Sequence, residues 1–214
     1  MLDKVDLFAS ATPDERAQIE SYTSRRRYPR GTVIVAEGDS NQSLYVIVSG
    51  KVKVYLTDAD GREIILRFQG PGEYFGELAL LDDAPRSATV IGVEPTELLV
   101  LPKAGFERCL TEHPSTAIST IRALTRRVRT LTEEVRALAL LDVYGRLSRV
   151  LTQLAEDQDG TLVVTQRLTH QEIASMVGAS REMVTRILKE LTVGGYVTVG
   201  NGSMTINRKL PSAR

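Results

Sequence analysis

The residues best placed to do chemistry lie in the stretch Phe75-Gly76-Glu77-Leu78-Ala79-Leu80-Leu81-Asp82-Asp83-Ala84-Pro85-Arg86-Ser87-Ala88-Thr89-Val90. Arg86 offers planar, forked N–H donors of the kind that grip a phosphate. Ser87 adds a hydroxyl, and the turn Gly76-Glu77-Leu78 adds backbone N–H groups. Glu77 can act as a fixed acceptor for a sugar hydroxyl. Gly76 lets backbone approach a ligand closely. A lone Arg or Glu would read as a solvated surface residue. Gathered in one stretch, these groups match the needs of a phosphate joined to a ribose.

A second constellation lies near the C-terminus. Thr169-His170-Gln171-Glu172 opens a helix with a capping box. Gly178-Ala179 makes a tight link, and another helix begins at Ser180. Two helices joined so closely, the second presenting long polar side chains, are what major-groove reading requires. Val184, Ile187 and Leu188 can face a core, while Arg181, Glu182, Thr185 and Arg186 face outward. Arginine suits guanine O6 and N7, and glutamate suits the cytosine amino group. Thr169 and Ser180 can touch phosphate or simply cap their helices. Gln171 and Lys189 complete the candidate DNA-contacting set. The plainer reading of this surface is an ordinary charged helix face.

The elements that must carry these residues follow from pattern. Thr12-Pro13-Asp14-Glu15 has the form of a helix start, with the helix running to about Ser24. From Gly31 to Leu101 short apolar runs recur: Val33-Ile34-Val35, Leu44 to Val48, Val52 to Tyr55, Ile64-Ile65-Leu66, Ala88-Thr89-Val90 and Leu98-Leu99-Val100. Such spacing predicts an antiparallel sandwich or jelly roll, with Asp60-Gly61 as a hairpin turn. A long helix is predicted from near Pro114 to about Leu140. Within it Ile121, Leu124, Val128, Leu131, Val135 and Leu138 alternate in steps of three and four. That heptad seam implies a two-stranded coiled coil; the alternative is a helix packed on its own domain. Val143 to Ala155 reads as an amphipathic helix, Asp157 to Gly160 as a turn, and Tyr196 to Ile206, folded about Gly200-Asn201-Gly202, as a hairpin or wing.

Bulk properties narrow the classes. The chain has 214 residues, 42% hydrophobic and 25% charged, which suits one large or two small globular domains. The formal net charge is +0, so any nucleic-acid contact must rest on local charge. Arg122, Arg126, Arg127 and Arg129 form one basic run; Arg181, Arg186 and Lys189 form another. Acidic pairs such as Asp82-Asp83 offset them. The lone cysteine, Cys109, excludes an internal disulfide and a thiolate cluster, and is expected to be a buried small hydrophobe. His113 and His170 are expected at helix starts, in capping or surface roles. Two isolated histidines make no metal centre, which argues against an enzyme such as a phosphodiesterase. No apolar run approaches the ~20 residues that span a bilayer. The start, Met1 to Leu7, has no signal-peptide pattern. A cytoplasmic location with no membrane contact is expected.

The Phe75 to Val90 stretch resembles the phosphate-binding cassette of cyclic-nucleotide-binding domains. Leu168 to Leu191 resembles the recognition unit of the CRP–FNR family of regulators. The resemblance covers nearly the whole chain in that family's order: β-roll, dimer helix, winged helix-turn-helix. The resemblance implies an α+β fold: an N-terminal β-roll or jelly-roll cyclic-nucleotide domain over residues 1–112, a dimerisation helix over 113–140, and a C-terminal winged helix-turn-helix over 141–214. It implies Glu77 on the ribose, and Arg86 and Ser87 on the cyclic phosphate, with Gly76, Leu78, Ala79 and Ala88 in the same cassette. Two positions on the dimer helix that contact adenine in the family are Leu131 and Thr132 here. Thr132 keeps a hydroxyl, whereas Leu131 can neither donate nor accept a hydrogen bond. Arg127 is a further candidate near the ligand, or a solvated helix residue. The implied partners are double-stranded DNA of the TGTGA–N6–TCACA type, read by Arg181, Glu182 and Arg186, a second copy of the chain, and RNA polymerase. The implied allosteric ligand is cyclic AMP, with cyclic GMP, cyclic di-GMP or no ligand as alternatives. A regulatory subunit that binds cyclic nucleotide and acts through protein contacts is the competing class.

Overall fold

The computed structural model describes residues 1–200 and 202–211. The chain divides into two compact units, residues 1–129 and 130–214.

The first unit opens with two 3-10 turns, Leu2–Lys4 and Asp6–Phe8, followed by helix α1, Pro13–Ser21. α1 starts as its sequence dictates: Glu15 N donates to Thr12 Oγ1 at 3.3 Å, and Thr12 N donates to Glu15 Oε2 at 2.6 Å. The expected end at Ser24 is corrected, because Ser24 already belongs to strand β1, Ser24–Tyr28. Strands β2 (Val33–Val35), β3 (Ser43–Ser49), β4 (Val52–Thr57), β5 (Glu63–Gln69) and β6 (Tyr74–Phe75) follow. A short helix α2, Leu78–Leu81, precedes β7 (Thr89–Gly92) and β8 (Thr96–Pro102). The strands form two antiparallel sheets, ordered β1-β8-β3-β6 and β2-β7-β4-β5.

Between the sheets lies a core of Tyr45, Ile47, Phe75, Leu98 and Val100 from one sheet and Val35, Val52, Val54 and Val90 from the other. The outer face of the first sheet, with Leu44, Val46, Leu99 and Leu101, packs on the N-terminal turns and on Phe106, Cys109 and Ala123. That sheet is covered on both faces, which explains why β3 and β8 read as near-continuous apolar runs. The β4–β5 hairpin forms as expected. Asp58 Oδ1 accepts from Asp60 N at 2.9 Å and Arg62 N at 2.8 Å, and Gly61 takes a φ of 78°. The β4–β5 register shifts between Val54 and Tyr55, so that Val54 pairs with Arg67 and Val52 with Gln69.

Helix α3 spans Lys103–Glu112, and helix α4 runs over Pro114–Leu140, the bounds expected from its seam. Cys109 is fully buried, and burial pushes its thiol up to about 11. His113 takes the capping alternative of its expectation and not the surface one, closing α3 directly before Pro114 of α4. It ends α3 at 8% exposure, with Nδ1 3.3 Å from Glu15 Oε1.

In the second unit, helix α5 (Val143–Leu154) is capped by Asp142, whose Oδ1 accepts from Gly145 N at 2.7 Å. Strands β9 (Glu156–Gln158) and β10 (Thr161–Val164) form a hairpin. This narrows the expected turn over 157–160 to Asp159 and Gly160, with φ of 52° and 83°. Helices α6 (His170–Val177) and α7 (Arg181–Val193) follow, then the β11 (Val197–Gly200) and β12 (Ser203–Ile206) hairpin. Asn201, expected in its turn, and residues 212–214 lie outside the described residues. Leu147, Leu151, Ile173, Val177, Val184 and Leu191 are buried in one core shared by α5, α6 and α7.

Candidate functional site

The cassette stretch folds so that its two charged residues are buried: Glu77 is 1% exposed and Arg86 4%. Arg86 donates from Nη1 to the Gly76 carbonyl at 2.8 Å. From Nη2 it donates to the Ser43 carbonyl at 2.7 Å and to Asn41 Oδ1 at 3.3 Å. Its guanidinium lies 5.7 Å from the centre of the Tyr45 ring, which itself stacks on Phe75 at 4.9 Å. Gly76, at φ 91°, is required here for a specific reason. A Cβ at that position would collide with Arg86 Nη1 and lie 2.7 Å from the Ser43 carbonyl. The close approach that glycine permits is to the arginine itself.

Glu77 forms an ion pair with Arg127, which projects from α4 and is 24% exposed. Burial pushes the Glu77 carboxyl above the ordinary carboxylate range, opposed by the positive charges of Arg67 and Arg86. Burial likewise draws the Arg86 pKa down, opposed by Tyr45, Glu77 and Asp39. Each group's charge thus opposes the effect of burial on the other.

These side chains line a cavity of about 50 Å³. Gly76, Glu77, Leu78, Ala79, Arg86, Ser87, Ala88 and Arg127 all face it, so the structure brings the expected cassette residues together with the helix arginine. Ser87 is exposed at its mouth. Leu131 and Thr132 do not line it; Leu131 is 50% exposed on α4. Arg67 and Gln69 line the cavity from β5 and were not singled out from sequence. Ordinary strand residues by type, they reach the inner side through the register shift at Val54/Tyr55.

The second site is built on α6 and α7. Thr169 caps α6 in a capping box, with Glu172 N donating to Thr169 Oγ1 at 3.1 Å and Thr169 N to Glu172 Oε2 at 2.7 Å. Gly178, at φ 62°, ends α6 in the left-handed conformation that permits the tight link. Ser180 caps α7 by accepting from Met183 N at 3.2 Å. Val184, Ile187 and Leu188 are buried, which turns Arg181, Glu182, Thr185, Arg186 and Lys189 to solvent, as Gln171 is from α6. The Thr185 hydroxyl donates to the Arg181 carbonyl at 2.8 Å and lies 2.8 Å from His170 Nδ1. His170 therefore links the two helices; its exposed position at the start of α6 is as expected. Arg146 adds a brace, donating to the Leu141 carbonyl at 3.0 Å and to the Val177 carbonyl at 2.7 Å. The outward face carries Arg181, Arg186 and Lys189 against Glu182, a local excess of positive charge that fits a polyanion.

Comparison with known proteins agrees with this anatomy. Residues 25–113 match the cyclic nucleotide-binding domain, and residues 145–209 match the Crp-like helix-turn-helix domain. The chain is 36% identical over 200 residues to the cyclic AMP receptor protein of Thermus thermophilus, covering 94% of this chain and 91% of that one. It is 32% identical over 211 residues to a CRP-like cAMP-activated global transcriptional regulator of Mycobacterium tuberculosis, covering 97% and 94%. Among solved structures, the c-di-GMP responsive global regulator CLP of Xanthomonas campestris superposes with a TM-score of 0.78 at 26% identity, covering 91% of this chain and 99% of that one. The catabolite activator protein of Thermus thermophilus superposes with a TM-score of 0.59 at 34% identity, covering 97% and 94%. The chain belongs to the CRP–FNR family: it is a cyclic-nucleotide-responsive transcription regulator with a DNA-binding helix-turn-helix.

Proposed function

We propose that the chain is a homodimeric regulator that cyclic AMP switches into a form able to read a TGTGA–N6–TCACA-like palindrome. It acts by binding rather than catalysis. In this reading residues 1–112 take the ligand, 113–140 pair two copies, and 141–214 read DNA. The observation that carries it is the Glu77–Arg127 pair, which joins the cassette to the helix bearing the apolar seam. Arg86 and Ser87 take the cyclic phosphate and Glu77 the ribose hydroxyl. Gly76, Leu78, Ala79 and Ala88 shape the pocket, Arg127 meets the ligand from α4, and Leu131 and Thr132, which do not line the cavity of a single copy, meet it in the dimer. A ligand on Glu77 competes with or reorganises its contact to Arg127, and so biases one arrangement of α4 and of the hinge around Leu140 to Val143. In the dimer the two α7 helices then enter successive major grooves about 34 Å apart. Arg181, Glu182, Thr185 and Arg186 read base edges, while Thr169, Gln171, Ser180 and Lys189 contact phosphates. The bound dimer works in the cytoplasm and presents its turn Asp157 to Gly160 to RNA polymerase.

Cyclic AMP is preferred because relatives named for it match almost the full length at 36% and 32% identity. A cyclic di-GMP ligand is the second reading, favoured by the fit to the Xanthomonas regulator and by the apolar Leu131. Calorimetric titration of the pure protein with cyclic AMP, cyclic GMP and cyclic di-GMP separates them. Saturable micromolar binding of cyclic AMP, followed by ligand-dependent binding of the operator duplex, is expected. Binding of cyclic di-GMP alone would transfer the switch to that ligand. Equal operator affinity with and without each nucleotide would remove the switch.

A further inference from the structure

Three buried side-chain polar atoms on residues lining the cavity have no hydrogen-bond partner among the described residues: Arg86 Nε, Arg67 Nε and Gln69 Oε1. Native folds rarely leave such atoms unpaired. Arg86 belongs to the cassette. The other two stand two residues apart on β5, opposite Val54 and Val52, which are 5% and 0% exposed in the core between the sheets. Directly paired cross-strand residues share a face. Arg67 and Gln69 therefore present themselves to the interior of the β-roll, where apolar side chains would otherwise be expected.

Gln69 is 4% exposed, and its Nε2 donates to the Tyr74 carbonyl at 2.8 Å. That bond fixes which way the amide points, because a carbonyl oxygen could not face Tyr74 O. Oε1 is left as a pure acceptor. It needs a donor, and a cyclic nucleotide has few. Its phosphate has none at neutral pH, and its one free ribose hydroxyl is taken by Glu77 in the reading above. In cyclic AMP the donor that remains is the 6-amino group of the base. Beside that amino group adenine offers a ring-nitrogen acceptor, which suits the guanidinium of Arg67. Guanine presents two acceptors at the same edge, O6 and N7, and would set O6 against Gln69 Oε1.

We propose that Arg67 and Gln69 are the base-reading residues of the ligand site, Gln69 Oε1 accepting from the purine 6-amino group and Arg67 donating to the neighbouring ring nitrogen. The proposal rests on the cyclic-nucleotide reading. Calorimetry on the full chain tests it with cyclic AMP and with purine riboside 3′,5′-cyclic monophosphate, which lacks only the 6-amino group. The native protein should prefer cyclic AMP by about tenfold, the worth of one such hydrogen bond. Gln69→Met should lower cyclic AMP affinity by about that factor and leave the desamino ligand unchanged, whereas a merely structural role would weaken both alike. Arg67→Met should weaken both ligands, since both keep the ring nitrogen. Equal affinities of the native protein for the two ligands would overturn the assignment even if no variant folded, as would an unaltered ratio in Gln69→Met. Binding of neither ligand by the native protein would instead remove the cyclic AMP reading and this assignment with it.

Discussion

Arg86 is held on three sides by its own chain, through the carbonyls of Gly76 and Ser43 and the side chain of Asn41. A guanidinium so braced meets a phosphate with little further loss of side-chain freedom, which is the advantage of preorganisation. Its removal should act on two quantities at once. Arg86→Leu should reduce cyclic nucleotide affinity by roughly a hundredfold or more, because charge-assisted hydrogen bonds are lost. It should also cost about 1–3 kcal/mol of stability, because acceptors that it satisfies lose their donor. Calorimetry reads the first effect and denaturant unfolding the second; unchanged affinity would take Arg86 out of the ligand site. Cys109 makes the opposite case, a reactive group made inert by packing. It is 0% exposed among Phe106 and the N-terminal apolar residues, with its thiol pushed up to about 11. The thiolate is the nucleophile, and it grows only as pH rises toward that value. At pH 8 an aromatic disulfide reagent should therefore label less than about a tenth of the native chains and nearly all of the unfolded ones. Fast labelling of native protein would show that this core opens readily.

Helix α7 separates its tasks by face, with Val184, Ile187, Leu188 and Leu191 in the core and Arg181 exposed one residue past the Ser180 cap. Arg181→Ala should therefore leave the melting temperature in place while weakening specific DNA binding by about 1–3 kcal/mol and relaxing choice at one base pair. Anisotropy titrations against operators varied one base pair at a time check this. A uniform loss across all sequences would make Arg181 a phosphate contact instead. The position of α7 was legible in the sequence because its signals are local: the Thr169–Glu172 box, Gly178 in the left-handed region and the Ser180 cap each act within a few residues. The same holds for α4, whose seam and Pro114 mark its length. Strand β1 was not legible. Its Ser-Arg-Arg-Arg-Tyr has no apolar alternation, and it is a strand because β8, far along the chain, pairs with it from Ser24–Val100 to Tyr28–Thr96. β6 has two residues and β9 is exposed throughout, so neither leaves a hydrophobic trace. The cavity divides in the same way. Its cassette wall is contiguous in sequence and could be read. Its β5 wall depends on a register shift between Val54 and Tyr55, which only strand pairing decides.

With a formal net charge of +0, long-range attraction does little to hold this chain on DNA, so in the proposed dimer affinity would come from two reading heads acting together. The surface of α4 supplies the means. Ile118, Ile121, Val128, Leu131, Val135 and Leu138 are between 49% and 64% exposed, in steps of three, four and seven residues along one continuous helix. A contiguous apolar stripe of this kind marks an association surface, and its spacing fits the seam of a two-stranded coiled coil. Placing a carboxylate at two seam positions, Val128→Glu with Val135→Glu, should separate the copies without touching the core, since both residues are more than 60% exposed. Sedimentation should then change from twice the 23.6 kDa chain mass to a single copy. Affinity for a full palindrome should fall by roughly a hundredfold or more as the linked second contact is lost, while binding to an isolated half-site stays as it was. A variant that remains dimeric and binds the palindrome as before would place the dimer contact elsewhere and leave the stripe without a role in DNA recognition. Loss of half-site binding as well would mean that the substitutions had reached the fold of the DNA-reading unit itself.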